Sequence, residues 1–166
     1  AGVLGGFAIN GFFMDNKNLE DNILDVKVGS EAPDFTLRDS KGNSFNLSDF
    51  ENEKVVVLEF FNVGCGSCHS FEKDVLKSYC NSTTMPEDVE VISVTQTEDV
   101  SQEDLEERAE GKNWAYVLGS EEMTDAFGAD RSPSIVIIDK DGIVTFSESG
   151  PMTESELKDK VDEALE

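Results

Sequence analysis

The sequence predicts an α/β domain in which a mixed central β-sheet is flanked by helices and extended at its N-terminal side by a β-hairpin. Three observations carry this expectation. Strand-like and helix-like patterns alternate from Phe35 onward. The run Val55-Val56-Val57-Leu58-Glu59-Phe60-Phe61 is apolar except at Glu59, as befits a strand covered on both faces. The chain then closes with a strand–turn–strand pattern and an amphipathic helix, which leaves helices to cover the sheet.

The elements follow in order. Phe35–Arg38 and Ser44–Leu47 alternate apolar and polar residues around the turn cluster Asp39-Ser40-Lys41-Gly42-Asn43, which reads as a hairpin. Val55–Phe61 is the central strand. From Cys65 to Tyr79, the apolar positions Cys68, Phe71, Val75, Leu76 and Tyr79 share one helical face. Val89–Val94 is a second buried strand. Ser101 is placed to cap a short helix, whose Glu103–Glu110 run reads as a solvated face. Trp114–Leu118 is a short strand, with Trp114 and Tyr116 as core or edge aromatics. Glu121–Phe127 reads as a helix closed by Gly128. Pro133–Asp139 and Ile143–Phe146 are strands joined by Lys140-Asp141-Gly142. The last helix starts at Thr153, with Glu156 completing a capping box, and its core stripe is Leu157, Val161 and Leu165.

At 166 residues and 38% hydrophobic content the chain has room for one sizeable core. Its 36 acidic and 13 basic residues give a net charge of −23, a surface that repels phosphate backbones and anionic lipid. Nucleic-acid binding is thereby excluded. The acidity reads as a solvated surface or as adaptation to high salt. Residues 1–28 read as an apolar remnant of an anchor, Ala1–Met14, followed by an acidic linker, and residues 29–166 as the folded domain. The apolar stretch is too short to span a bilayer. It is taken as the back half of an anchor or signal segment, with an apolar tail or a packed strand as the alternative. On that reading the domain is extracytoplasmic, membrane-anchored or secreted; a native start at Met14 would make it cytoplasmic.

Three cysteines are too few to staple a fold. Two of them form Cys65-Gly66-Ser67-Cys68, where a buried strand hands over to a helix. A helix N-terminus presents free N–H groups and partial positive charge, which favours thiolate. Cys65 lies at the turn and is the expected attacking sulfur. Cys68 lies one turn into the helix on its apolar face and is the expected resolving sulfur. Cys80 reads as a semi-buried structural thiol.

Val57 to Cys68 resembles the thioredoxin active-site strand and turn. Phe127 to Gly142 is similar to the proline loop and following strand of that family, and Gly29 to Leu37 is similar to the start of its TlpA/ResA-like and peroxiredoxin-related branch. The resemblance covers the chain from about Val28 onward. It implies a thioredoxin-like fold and thiol–disulfide exchange with protein substrates, more in the direction of reduction than of oxidation. It implies no organic cofactor and no metal beyond the redox-active disulfide Cys65–Cys68, an upstream electron donor or acceptor, and a monomeric domain. Pro133 matches the family's cis-proline; Ser132 precedes it and, with Gly64, would face the substrate. Glu59 stands where the family carries a buried acid and is implied as proton acceptor for Cys68. The chain departs from the family pattern at Gly64, where Trp is usual, at Ser67, where Pro is frequent, and at Phe71, where this branch often has an acid. Glu72, the next residue, is read as a solvated glutamate.

Two further readings compete. Cys65-Gly66-Ser67-Cys68-His69 also fits the C-x-x-C-H haem-attachment pattern, with His69 and one of Met85, Met123 or Met152 on the iron. The preceding apolar strand and the following proline loop argue against it. A peroxiredoxin would carry Thr and Pro where this chain has Asn62 and Leu58. Cys80 lies too far along the helix to share a metal with the pair.

Overall fold

The computed structural model describes residues 26–166. The expected anchor remnant and nearly all of the acidic linker lie outside the described residues. Packing begins ahead of the expected boundary, because Val26 is already buried in a core cluster with Leu37 and Phe60. Among the described residues, no helix is long and apolar enough to cross a membrane.

Seven strands form one sheet: β1 Thr36–Asp39, β2 Ser44–Asn46, β3 Val55–Phe61, β4 Val89–Thr95, β5 Ala115–Leu118, β6 Ser134–Ile138 and β7 Val144–Ser149. Their order is β2-β1-β5-β4-β3-β6-β7. The central β5, β4 and β3 are parallel, and β1, β6 and β7 run antiparallel to their neighbours. Every residue of β3 is buried, which is why its sequence does not alternate: both its faces are covered. The helices are α1 Gly66–Phe71, α2 Lys77–Asn81, α3 Gln102–Ala109, α4 Glu121–Ala126 and α5 Glu154–Leu165. This mixed sheet with flanking helices and an N-terminal hairpin is the expected architecture.

Turn chemistry explains the two hairpins. Asp39 Oδ1 accepts the amides of Lys41 and Asn43, at 2.9 and 2.8 Å. Asp139 Oδ1 does the same for Asp141 and Ile143, at 2.9 and 3.0 Å. Gly42 and Gly142 take positive φ, 85° and 77°, a conformation glycine adopts without steric cost. The caps at Ser101, Ser120 and Thr153 each accept the amide three residues on, closing orphan donors of the first turn.

The sheet separates two apolar layers. On one face, Val57 and Phe61 of β3 pack with Val91 of β4 and Ile135 of β6 beneath Cys68, Phe71, Leu76, Leu105, Leu157 and Val161. On the other, Leu58 and Phe60 pack with Val94, Val136, Met123 and Phe127. The helix beginning at Gly66 passes through a π-helical turn, Glu72–Leu76, before continuing as α2. Its buried side is Cys68, Phe71, Glu72, Leu76 and Tyr79, and Val75 is only half-buried. Glu72 thus belongs to the inner face, which corrects its reading as a solvated side chain. Trp114 and Tyr116 are core residues, and the acidic side chains of α3 are exposed as expected.

Candidate active site

β3 delivers the chain to the site and a polar turn redirects it. Asn62 Oδ1 accepts the Gly64 amide at 3.0 Å, and the Asn62 carbonyl accepts the Cys65 amide at 3.0 Å. Cys65 then caps the helix: its Sγ accepts the Cys68 amide at 3.1 Å and lies 3.4 Å from Ser67 Oγ. Cys65 and Cys68 form a disulfide with Cα atoms 5.3 Å apart. Cys65 is half-buried, whereas Cys68 is fully buried. A Cβ added at Gly66 would meet nothing, and one at Gly64 only Asn62 Oδ1 at 3.7 Å. Packing therefore does not require these glycines, and they leave bare backbone on either side of Cys65. Val63 is 50% exposed beside them.

β6 brings the second half of the site to the same end of the sheet. In the antiparallel pairing of β3 with β6, Phe60 stands opposite Ser134. The chain therefore leaves β3 toward Cys65 where it enters β6 from Pro133. The Ser132–Pro133 peptide is cis. Pro133 is buried, Ser132 half-buried, and the Pro133 carbonyl accepts the Gly150 amide at 2.7 Å.

Beneath the pair lies a buried polar cluster that sequence reasoning foresaw only in part. Glu59 falls between Val57 and Phe61 on the face that also packs Cys68, and it is wholly buried. Ser93 of β4, directly across in register, donates its hydroxyl to Glu59 Oε2 and accepts Trp114 Nε1–H at 2.9 Å. Oε1 of Glu59 has no hydrogen-bond partner. Burial, and next the Glu72 carboxylate, push the Glu59 carboxyl well above its ordinary value of 4.5. Glu72 is also wholly buried and is held by Arg108 through two hydrogen bonds, at 2.9 and 3.0 Å, and by the Tyr116 hydroxyl at 2.9 Å. Burial works against the Arg108 charge, yet its bonds to Glu72 hold the guanidinium above its ordinary value. The signal for Glu72 was its offset of four from Cys68, which shares a helical face. No pattern in α3 marked Arg108 as the one charged residue of an acidic helix that turns inward beside Leu105.

A second missed residue is Gln96, just after β4. Its Nε2 donates to the carbonyls of Ala129 and Arg131, at 2.7 and 3.0 Å, and its Oε1 accepts the Ser132 hydroxyl.

Cys80 is half-buried, and burial pushes its thiol up to about 12. Met123, one of the sulfurs available to a haem iron, sits in the layer on the opposite face of the sheet from Cys68. Among the described residues, no group of His, Cys, Asp and Glu side chains is arranged to hold a metal ion.

Paired cysteines at a strand-to-helix turn, a proline loop at the same sheet end and a buried acid beneath them define a thiol–disulfide oxidoreductase on a thioredoxin-like fold. The chain belongs to the Redoxin family, whose model matches residues 27–165. It is 28% identical over 135 residues to the thiol-disulfide oxidoreductase ResA of Bacillus subtilis, covering 81% of this chain and 74% of the relative. To ResA of Geobacillus kaustophilus it is 32% identical over 138 residues, covering 80% and 75%. Among solved structures, the thioredoxin domain of a thiol-disulfide oxidoreductase from Bacteroides vulgatus superposes with a TM-score of 0.67 at 26% identity, covering 81% of this chain and 98% of that one.

Proposed function

We propose that this domain reduces disulfides of protein substrates, with Cys65 as the attacking sulfur and Cys68 as the resolving one. The observation that carries the division of labour is the asymmetry of the pair. Cys65 is reachable and its sulfur accepts a helix N-terminal amide, while Cys68 is sealed in the core layer. That amide favours the Cys65 thiolate once the pair is reduced.

In the proposed cycle, the Cys65 thiolate attacks one sulfur of the substrate disulfide and the substrate's S–S bond breaks. One substrate thiolate leaves, and the other stays bound to Cys65. Cys68 gives up its proton and attacks Cys65 Sγ. The mixed disulfide breaks, the second substrate thiolate leaves, and two electrons have passed from the pair to the substrate. A donor dithiol upstream restores the reduced pair. Glu59 is the proposed acceptor of the Cys68 proton, a role supported by its burial on the Cys68 side of the sheet and by its unpartnered Oε1. Ser132 and Pro133 are proposed to receive the substrate backbone, and Gly64 to leave room for it beside Cys65. The proposed placement is extracytoplasmic, where substrate disulfides persist. It rests on the apolar character of Ala1–Met14.

The test is a pair of variants and a potential. Cys65→Ser abolishes insulin reduction, and Cys68→Ser accumulates a covalent adduct with substrate because attack survives and resolution fails. A reduction potential near about −270 mV supports the reductive direction, and one near about −120 mV makes the domain an oxidant instead. Normal turnover by Cys68→Ser overturns the assignment of roles.

A further inference from the structure

We propose that Gln96 is the positioning residue of the substrate loop, holding the Ala129–Ser132 backbone in place relative to the cysteine turn. The inference rests on the reading above that Ser132 and Pro133 receive the substrate chain.

Gln96 is the junction of three segments. Its amide donates to the carbonyl of Phe61, the last residue of β3 and four residues ahead of Cys65, at 3.0 Å. Its carbonyl accepts the Thr124 hydroxyl of α4 at 2.8 Å. Its side chain reaches across to the proline loop, with Nε2–H groups to Ala129 O and Arg131 O and Oε1 to Ser132 Oγ–H. Both ends of the side-chain amide are thus engaged, and only 8% of the residue is exposed. A buried amide so placed ties the loop that would hold the substrate to the strand that ends at the nucleophile.

The chemistry of the contact selects glutamine. Two carbonyls need a donor and one hydroxyl needs an acceptor, which only a side-chain amide supplies together. A carboxylate of the same length would turn oxygen toward the carbonyls. A thioether would leave the Ala129 carbonyl and the Ser132 hydroxyl without their partner and the Arg131 carbonyl with only the Ser134 hydroxyl, at 2.6 Å, a cost where water is excluded. Released from Gln96, the loop samples other positions, and a docking chain must order it on binding. Cys65 is built on a different segment, by Asn62 and the helix N-terminus, so its reactivity does not depend on the loop. Loss of Gln96 therefore falls on substrate affinity and spares the sulfur chemistry.

The experiment compares the parent with Gln96→Met and with Gln96→Glu, which keeps the size and the acceptor. Insulin, with dithiothreitol as recycling reductant, reports KM and kcat. The small aromatic disulfide 5,5′-dithiobis(2-nitrobenzoate), which needs no loop, reports the reactivity of Cys65. Amide hydrogen exchange from Arg131 to Ser134 is followed in the Cys68→Ser background, free and as a mixed disulfide with a cysteine-containing decapeptide. The expected result is that the peptide slows exchange in the parent loop and not in the Gln96 variants. KM for insulin rises about tenfold, with kcat and the small-disulfide rate within about twofold. Exchange slowed equally in all three proteins, with unchanged KM, overturns the role of Gln96 and leaves the docking reading standing. No slowing in the parent overturns the docking reading itself, and the inference with it. A parallel fall in kcat and in the small-disulfide rate, in a variant that melts as the parent does, places the effect on the cysteines and also overturns the inference.

Discussion

Replacing Glu59 with glutamine removes a proton-binding group from the centre of the sheet, and its effect on stability can be worked from the burial. Glu59 has no exposed surface, its Oε1 has no partner, and burial raises its carboxyl well above 4.5. The unfolded chain lets the same carboxyl ionise near its ordinary value. Between the two values the folded protein binds a proton that the unfolded chain does not, so stability falls as pH rises through that interval. Below the ordinary value both states are protonated and the penalty vanishes. The slope through that interval is about 1.36 kcal/mol per pH unit, so the parent loses stability relative to Glu59→Gln with each step of pH above the ordinary carboxyl value. The glutamine oxygen can still accept the Ser93 hydroxyl, and its NH₂ can take the place of the unpartnered Oε1 beside the Glu72 carboxylate. Urea denaturation of both oxidised proteins at a series of pH values upward from the ordinary carboxyl range measures the difference. Stopped-flow kinetics on the reduced proteins then separates the two chemical steps. Resolution by Cys68 slows by about 100-fold or more without its acceptor, while the first attack by Cys65 is nearly untouched. A stability difference independent of pH refutes the argument from burial, and an unchanged resolution rate returns Glu59 to a purely structural role.

Three further outcomes follow from the same geometry. Arg108→Met strips the buried Glu72 of its bidentate partner, leaving the Tyr116 hydroxyl and Lys112 Nζ at 3.8 Å. Chemical denaturation should show a loss of about 3–5 kcal/mol, most of it recovered in the double variant Glu72→Leu/Arg108→Met, because the lone buried charge is then gone. Gly119→Ala would set a Cβ 2.0 Å from the Thr95 carbonyl oxygen and 2.7 Å from Val94 Cγ1; the expected cost is about 3 kcal/mol, and unchanged melting would mean that the β5 end moves freely away from β4. Once the pair is reduced, iodoacetamide at neutral pH should label Cys65 while Cys80, its thiol pushed up to about 12, stays unmodified in the folded protein. Peptide mapping that finds Cys80 labelled first contradicts this.

The sequence alone determined the elements whose causes are local. The bounds of β3 follow from a run that is apolar at both parities, and the hairpins from Asp39 and Asp139 with their glycines. The caps at Ser101 and Thr153 and the placement of the Cys65–Cys68 pair were likewise legible, because a strand end, a turn and a helix start are contiguous in the chain. Glu59 stood out as the one carboxyl in an apolar strand, and the proline loop by its resemblance. The tertiary structure alone decided what those groups face. Glu72 looks like any helix-surface glutamate until Arg108, thirty-six residues later, turns in to meet it. Gln96 looks like a residue at the end of a strand until the loop at Ala129–Ser132 arrives over it. The physical reason is that periodicity reports which side of an element is apolar, whereas the partner of a buried polar group is set by strand order and register. The order β5-β4-β3-β6 brings Ser93, Tyr116 and Arg108 beneath the cysteines, and the pairing of Phe60 with Ser134 carries the proline loop to the same end of the sheet.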